Sequence, residues 1–362
     1  MAKFHTLKVR DVRRETPDCV SVAFDVPEDL KDAYAYLPGQ YLTLKFNFKG
    51  EELRRSYSLC SSPDTENEWR IAAKRVQGGR VSGYLNESVK VGDVVEVMTP
   101  MGNFHTPMQA DRERHFVLFA GGSGITPMFS ILKSALAKEP RSRITLVYAN
   151  RDEASVIFAE ALKQMAAEHA DRLHIHFVYD EAPAGTPSLL QGMMSVEKAT
   201  QILNDLVRPS GNEAYFICGP GPMMDHIKTA LAAEGVSDDK VHIEYFTAVL
   251  EDLKRAESAG ESQPSGDVIE SEVTVIMDDE PFSFQLSSNG MSILDAASDA
   301  GVDAPFSCKG AVCCTCKAQV LEGKVTMEKN FALSDGEVAE GYVLTCQSHP
   351  ATEKVVITYD VI

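Results

Sequence analysis

The chain has 362 residues, 44% hydrophobic and 24% charged, with a formal net charge of −18. At about 100–200 residues per domain this length holds two to three domains, and the composition excludes disordered and fibrous classes. So acidic a surface repels duplex nucleic acid. No apolar run approaches the ~18 residues that span a bilayer. The opening stretch MAKFHTLKVRDVRRETPD has neither the apolar region nor the cleavage site of a secretory leader. A cytoplasmic protein with no membrane partner is expected.

In chain order, residues 1–109 read as β-rich. CVSVAFDV (19–26), QYLTLKF (40–46), WRIAAKRV (69–76) and DVVEVMTP (93–100) alternate in polarity between Pro, Gly and polar turns, the pattern of a barrel or sandwich. The rhythm changes at residues 112–250. HFVLFAG (115–121), ITLVYAN (144–150), HIHFVYD (174–180), AYFICGP (214–220) and VHIEYF (241–246) read as buried strands. Helical stretches near 127–139, 155–169, 195–207 and 222–234 separate them, which implies a parallel sheet covered on both faces. Residues 251–270 have linker composition. Residues 271–362 form a third unit: a β-rich start (273–286), a helix over 292–301, a cysteine-rich loop and a last strand at 355–360. Between Glu270 and Ile362 lie 15 acidic and 5 basic residues. Solubility accounts for this excess, and so does a docking face for a basic partner.

Of eight cysteines, five fall in the last 55 residues. In a reducing cytosol such clustering points to metal or catalysis rather than disulfides. Cys308, Cys313 and Cys316 are spaced C-x4-C-x2-C, and Cys346 follows after 29 intervening residues. This is the plant-type [2Fe–2S] spacing. Two bridged irons need four thiolates, and Gly310 and Ala311 let the loop wrap so that N–H groups face the sulfurs. The competitor is structural zinc, which usually shows a second C-x2-C knuckle; none stands here. Cys314 breaks the spacing and reads as a bystander, and Cys19 and Cys60 as small core residues.

AGGSGITPMFS (120–130) joins a buried strand to a helix. Gly122, Gly124 and Pro127 form G-x-G-x-x-P, a relative of the dinucleotide fingerprint, in which backbone N–H groups at a helix start meet a pyrophosphate. The bland reading is a tight turn. In RSYSLCSS (55–62), Arg55, Tyr57 and Ser58 suit a flavin phosphate, the flavin ring and its reactive nitrogen; the bland reading is an alternating strand. GGRVSGYL (78–85) reads as a further turn able to hold a pyrophosphate.

RSYS, GRVS, GGSGITP, CGPGPMM (218–224) and the cysteine loop occur in one order, and together resemble the ferredoxin–NADP reductase family fused to a C-terminal plant-type ferredoxin. The resemblance implies an antiparallel β-barrel flavin domain, an α/β parallel-sheet NAD(P)-binding domain and an α+β, β-grasp-like [2Fe–2S] ferredoxin domain. It implies that Arg55, Tyr57 and Ser58 bind FAD, and that the turn Gly79, Val81, Ser82 holds its pyrophosphate. LPGQY (37–41) would lie beside the flavin. Gly122, Gly124, Thr126 and Pro127 would hold the NAD(P)H pyrophosphate, with Cys218, Gly219 and Pro220 shaping the nicotinamide slot. Phe246 would cover the flavin, although the family's plant-type members end there on a tyrosine. Ser58 and Cys218 are the candidate catalytic residues. For Cys218 the bland alternative is a buried strand-end thiol.

Electron counting gives the expected mechanism. NAD(P)H gives two electrons as a hydride, an iron–sulfur centre accepts one, and flavin converts between them. The expected function is the reductase component of a multicomponent oxygenase. Its partner is that oxygenase, whether a ring epoxidase, a Rieske-type aromatic-ring hydroxylase or a steroid hydroxylase. A redox sensor without turnover is the reading of another class. Arg151, directly after ITLVYAN, suits a 2′-phosphate and leans the coenzyme toward NADPH, while Asp152 beside it suits NADH.

Overall fold

A computed structural model describes residues 3–246 and 268–360. Residues 251–267, most of the expected linker, lie outside the described residues.

The first body is a six-stranded antiparallel sheet: β1 (Phe4–Thr16), β2 (Cys19–Asp25), β3 (Tyr41–Phe48), β4 (Glu51–Ser58), β5 (Trp69–Lys74) and β6 (Val94–Met98), in the order β4-β3-β6-β1-β2-β5. A bridge from Leu59 to Ile71 joins the two edges into a barrel. Leu7, Val22, Phe24, Leu42, Leu44, Ile71 and Val97 fill it. Alternation does not reveal β1, because register shifts between Val9 and Asp11 and between Arg14 and Thr16 break its period of two. The stretch expected as a turn at 78–85 is instead the start of a helix, α1 (Arg80–Glu87), with Gly79 as its N-cap. Val81 and Leu85 drive it onto the barrel core, and this burial outweighs the three glycines that suggest a turn.

The second body is a parallel sheet of β7 (His115–Gly121), β8 (Arg143–Asn150), β9 (Leu173–Tyr179), β10 (Glu213–Cys218) and β11 (Val241–Glu244), ordered β11-β10-β7-β8-β9. Every residue of β7, the middle strand, is buried, as a strand covered on both faces requires. The helices are α2 (Ile125–Lys138), α3 (Ala159–Glu168), α4 (Val196–Ile202) and α5 (Gly221–Ala233). Ser195 caps α4 by accepting from the Lys198 amide. The helical stretch expected to run to residue 207 leaves the α form at Ile202 and closes in a π turn over Leu203–Val207. Strand order reverses between β7 and β10, which places a ligand crevice at their carboxyl ends.

The third body is a mixed sheet of β12 (Glu270–Met277), β13 (Glu280–Ser287), β14 (Lys317–Glu322), β16 (Tyr342–Leu344) and β18 (Lys354–Thr358), ordered β13-β12-β18-β14-β16. A small pair, β15 (Val325–Met327) and β17 (Ser348–Pro350), stands beside it. Asp278 and Asp279 both take left-handed backbone in the β12–β13 hairpin, the requirement of a type I′ turn. Glu270, expected within the linker, already belongs to β12. Helix α6 (Ile293–Asp299) is capped by Ser292, and α7 (Asp335–Ala339) by a reciprocal Ser334–Glu337 pair.

Candidate functional site

The glycine-rich turn after β7 and the CGP turn after β10 interlock at the crevice. A Cβ on Gly124 would lie 2.0 Å from the Cys218 carbonyl oxygen, and one on Gly219 would lie 3.0 Å from the Gly121 backbone. Gly122 takes φ +51°, open to glycine at little cost. Thr126 and Pro127 are buried in the first turn of α2, and the Thr126 hydroxyl donates to the Ser123 carbonyl (3.0 Å). Tyr148 props the turn from β8 by donating to the Gly122 carbonyl (2.9 Å). A 3-10 segment, Gly122–Gly124, leads into α2, and the Ile125 amide bonds back to the Gly122 carbonyl.

One cation stands beside this turn. Lys74, at the end of barrel strand β5, brings its ammonium within 3.7 Å of the position a Gly122 Cβ would take. Sequence reasoning missed it, since a lysine ending a strand carries no local signal. Arg151 follows β8 on the surface, and its Nε donates to Asp152 Oδ2 (2.8 Å).

Across the crevice, β10 and β11 pair in parallel register with Cys218 beside Glu244. The buried Ser58 hydroxyl, from the barrel, donates to Glu244 Oε2 (3.1 Å). Burial pushes the Glu244 carboxyl up to about 8, against the opposing pull of the Ser58 bond. Burial also raises the Cys218 thiol, and the nearby Glu244 raises it further. Ser58, Cys218 and Glu244 thus converge from two bodies, and Glu244 is the functional candidate that motif reading missed. Its only sequence sign is the place at the end of the last strand, two residues before Phe246. Phe246, Ser58, Glu244 and Tyr41 line one small cavity.

On the barrel, Arg55 is exposed, its Nη1 donating to the Arg54 carbonyl (2.7 Å), and Tyr57 is half-buried against the barrel core. Ser82 closes the start of α1: its hydroxyl accepts from the Val76 amide (3.1 Å). A Cβ on Gly79 would lie 2.5 Å from that hydroxyl, so a larger residue would displace it. Gly39 in LPGQY takes φ +102° and its Cβ would collide with the Phe104 carbonyl; this closure delivers Tyr41 to the cavity.

The four expected metal ligands stand as two pairs. The Cys308 and Cys313 sulfurs are 3.1 Å apart, and Cys316 hydrogen-bonds Cys346. Among the described residues no three His, Cys, Asp or Glu side chains converge on one point. Two thiolates on each of two irons fit this arrangement, whereas one tetrahedral zinc needs four ligands around one centre. The Cys313 thiol and the loop amides of Gly310, Val312 and Cys313 hold Cys308 well below the ordinary thiol range. Its Cys316 partner also lowers the Cys346 thiol, helped by the Ala311 amide. Left-handed backbone at Lys309 and Ala311, rather than at Gly310, wraps the loop. Cys314 turns away, donating to the Ala332 carbonyl (3.4 Å).

Known families match each body in turn: an oxidoreductase FAD-binding domain over residues 6–106, an oxidoreductase NAD-binding domain over 118–229 and a 2Fe-2S iron-sulfur cluster binding domain over 275–351. The chain is 41% identical to a component of the 1,2-phenylacetyl-CoA epoxidase of Escherichia coli (strain K12), over 99% of both chains. The chain belongs to the ferredoxin–NADP reductase family with a fused plant-type ferredoxin. This reductase is also 38% identical to the ferredoxin reductase component of a 3-ketosteroid-9-alpha-monooxygenase of Mycobacterium tuberculosis (strain CDC 1551 / Oshkosh), over 98% of this chain and 95% of that one. Among solved structures, phthalate dioxygenase reductase superposes with a TM-score of 0.57 at 25% identity, over 98% of both chains. The reductase is an NAD(P)H-dependent FAD and [2Fe–2S] oxidoreductase that serves a multicomponent oxygenase. Among its described residues no helix is long and apolar enough to cross a membrane.

Proposed function

We propose that the reductase delivers electrons to a phenylacetyl-CoA ring epoxidase. The observation that carries this reading is the 41% identity to the E. coli epoxidase component over 99% of both chains. FAD, when bound, accepts hydride from NAD(P)H and passes electrons singly to the cluster. The chain's own residues position and protect. Gly122, Gly124, Thr126, Pro127 and Lys74 hold the coenzyme pyrophosphate. Cys218, Gly219 and Pro220 bound the nicotinamide slot. Arg55 and the amides around Gly79, Val81 and Ser82 hold the FAD phosphates, while Tyr57 and Phe246 bound the flavin ring. Glu244 keeps a proton beside the Ser58 hydroxyl below about pH 8, so no fixed negative charge faces the ring that receives hydride. Cys308, Cys313, Cys316 and Cys346 hold the cluster.

The acidic excess of the third body supports a basic docking face on the oxygenase, and the thiol cluster supports a cytoplasmic setting. A second reading, a steroid-ring monooxygenase reductase, rests on the 38% identity to the mycobacterial components. Reconstitution distinguishes them: the purified reductase with NAD(P)H should support turnover by a phenylacetyl-CoA epoxidase oxygenase and not by a 3-ketosteroid oxygenase. The reverse pattern would overturn the first reading.

A further inference from the structure

The cluster loop is docked on the flavin barrel. Tyr41 is buried in one cluster with Met98, Met101 and Cys313, against which Cys308 packs. Tyr41 and Cys313 also line the cavity that holds Ser58 and Glu244. The Tyr41 hydroxyl meets Thr315 Oγ1 at 2.9 Å. Thr315 is fully buried and stands in the loop between the cluster ligands Cys313 and Cys316, where its hydroxyl and backbone amide favour negative charge on the Cys313 sulfur. A hydroxyl carries one proton. If Thr315 donates to sulfur, Tyr41 must donate to Thr315. With the Thr315 proton turned to sulfur, the chain of bonds runs from barrel to cluster ligand, each bond polarising the next. Gly102 holds the Tyr41 ring in place: a Cβ there would lie 2.9 Å from it. Further barrel contacts bracket the loop, Ser56 to Ser307 at 2.7 Å and Asn103 to Glu337 at 3.0 Å.

We propose that Tyr41 is a positioning residue that couples docking of the ferredoxin body to the reduction potential of its cluster. The inference rests on the reductase reading above. One electron enters the cluster from flavin that NAD(P)H has reduced; no covalent bond breaks and no proton crosses the latch. Donors aimed at cluster sulfurs favour the reduced, more negative state. The Tyr41 bond exists only while the two bodies touch, so docking raises the potential and reduction tightens docking by the same factor. Released from Tyr41, the cluster becomes the stronger reductant, which suits delivery to the oxygenase.

The test is an EPR-monitored titration of the cluster in the full chain, loaded with FAD and cluster, using dithionite and mediators so that no coenzyme step is involved. Tyr41→Phe keeps the ring and removes the donor. It should lower the one-electron equilibrium constant about three- to tenfold, tenfold being about 59 mV. Thr315→Val should lower it at least as far, Thr315→Ser should restore it, and the double variant Tyr41→Phe/Thr315→Val should go no lower than Thr315→Val alone. An unchanged potential in Tyr41→Phe, read on whatever fraction carries cluster, overturns the proposal, as do strictly additive shifts. Failure of the reductase reading is separate: wild type would then not reduce its cluster with NAD(P)H at all.

Discussion

Ser58 of the flavin barrel donates a 3.1 Å hydrogen bond to Glu244 at the end of the coenzyme sheet, so two bodies share one partly buried hydroxyl–carboxyl pair. Their meeting requires the interface between barrel and sheet, where Ser130 donates to the Ser61 carbonyl (2.6 Å) and Lys133 pairs with Glu66 (2.6 Å).

The raised Glu244 carboxyl makes stability depend on pH. Its folded value lies near 8, above the ordinary 4.5. The folded chain therefore binds a proton that the unfolded chain has lost, and stability falls as pH rises from about 4.5 to about 8. Glu244→Gln removes this loss. Thermal melts of flavin-free protein should show the variant gaining on the parent across that window, by on the order of 2–4 kcal/mol at most, and levelling above it. A gap independent of pH would show that the carboxyl ionises freely.

Lys74 and Arg151 should separate in their coenzyme effects. Lys74→Met removes a charge beside the pyrophosphate that both coenzymes share, so kcat/KM should fall by roughly 10- to 150-fold with NADH and NADPH alike, the equivalent of ~1.5–3 kcal/mol. Arg151→Ala should cost a similar factor with NADPH and little with NADH. Equal losses in Arg151→Ala would make its bond to Asp152 structural.

Much of this site is legible in the sequence because its chemistry demands short spacings. The cysteine loop and the G-x-G-x-x-P turn are local, and the structure puts the first in thiol pairs and the second at the strand-order reversal. What is not legible arises from tertiary contact. Glu244 becomes a candidate only when β11 aligns it with Cys218 and the barrel supplies Ser58. Lys74 matters only because β5 ends opposite Gly122. Strand β1 hides behind its bulges, and α1 behind glycines that read as a turn.

The cluster ligands give a sharp variant pair. Cys346→Ser should lose iron while keeping flavin, because the FAD-binding domain match covers residues 6–106 and the cluster domain match residues 275–351. Cys314→Ser should keep both, since its thiol bonds the Ala332 carbonyl and stands outside the two pairs. Iron and flavin analysis of the purified variants checks both outcomes; iron loss in Cys314→Ser would place that thiol among the ligands.

The central claim is that electrons pass from NAD(P)H through flavin and then through the cluster. Its most direct test is anaerobic rapid mixing with NAD(P)H, following flavin absorbance and the EPR signal of the reduced cluster, in wild type and Cys346→Ser. Wild type should bleach flavin first and then show the cluster signal, with the oxygenase reduced afterwards. Cys346→Ser should bleach flavin at the wild-type rate and leave the oxygenase oxidised. Oxygenase reduction at an unchanged rate in Cys346→Ser would contradict the account, because the cluster would then not be the obligatory relay.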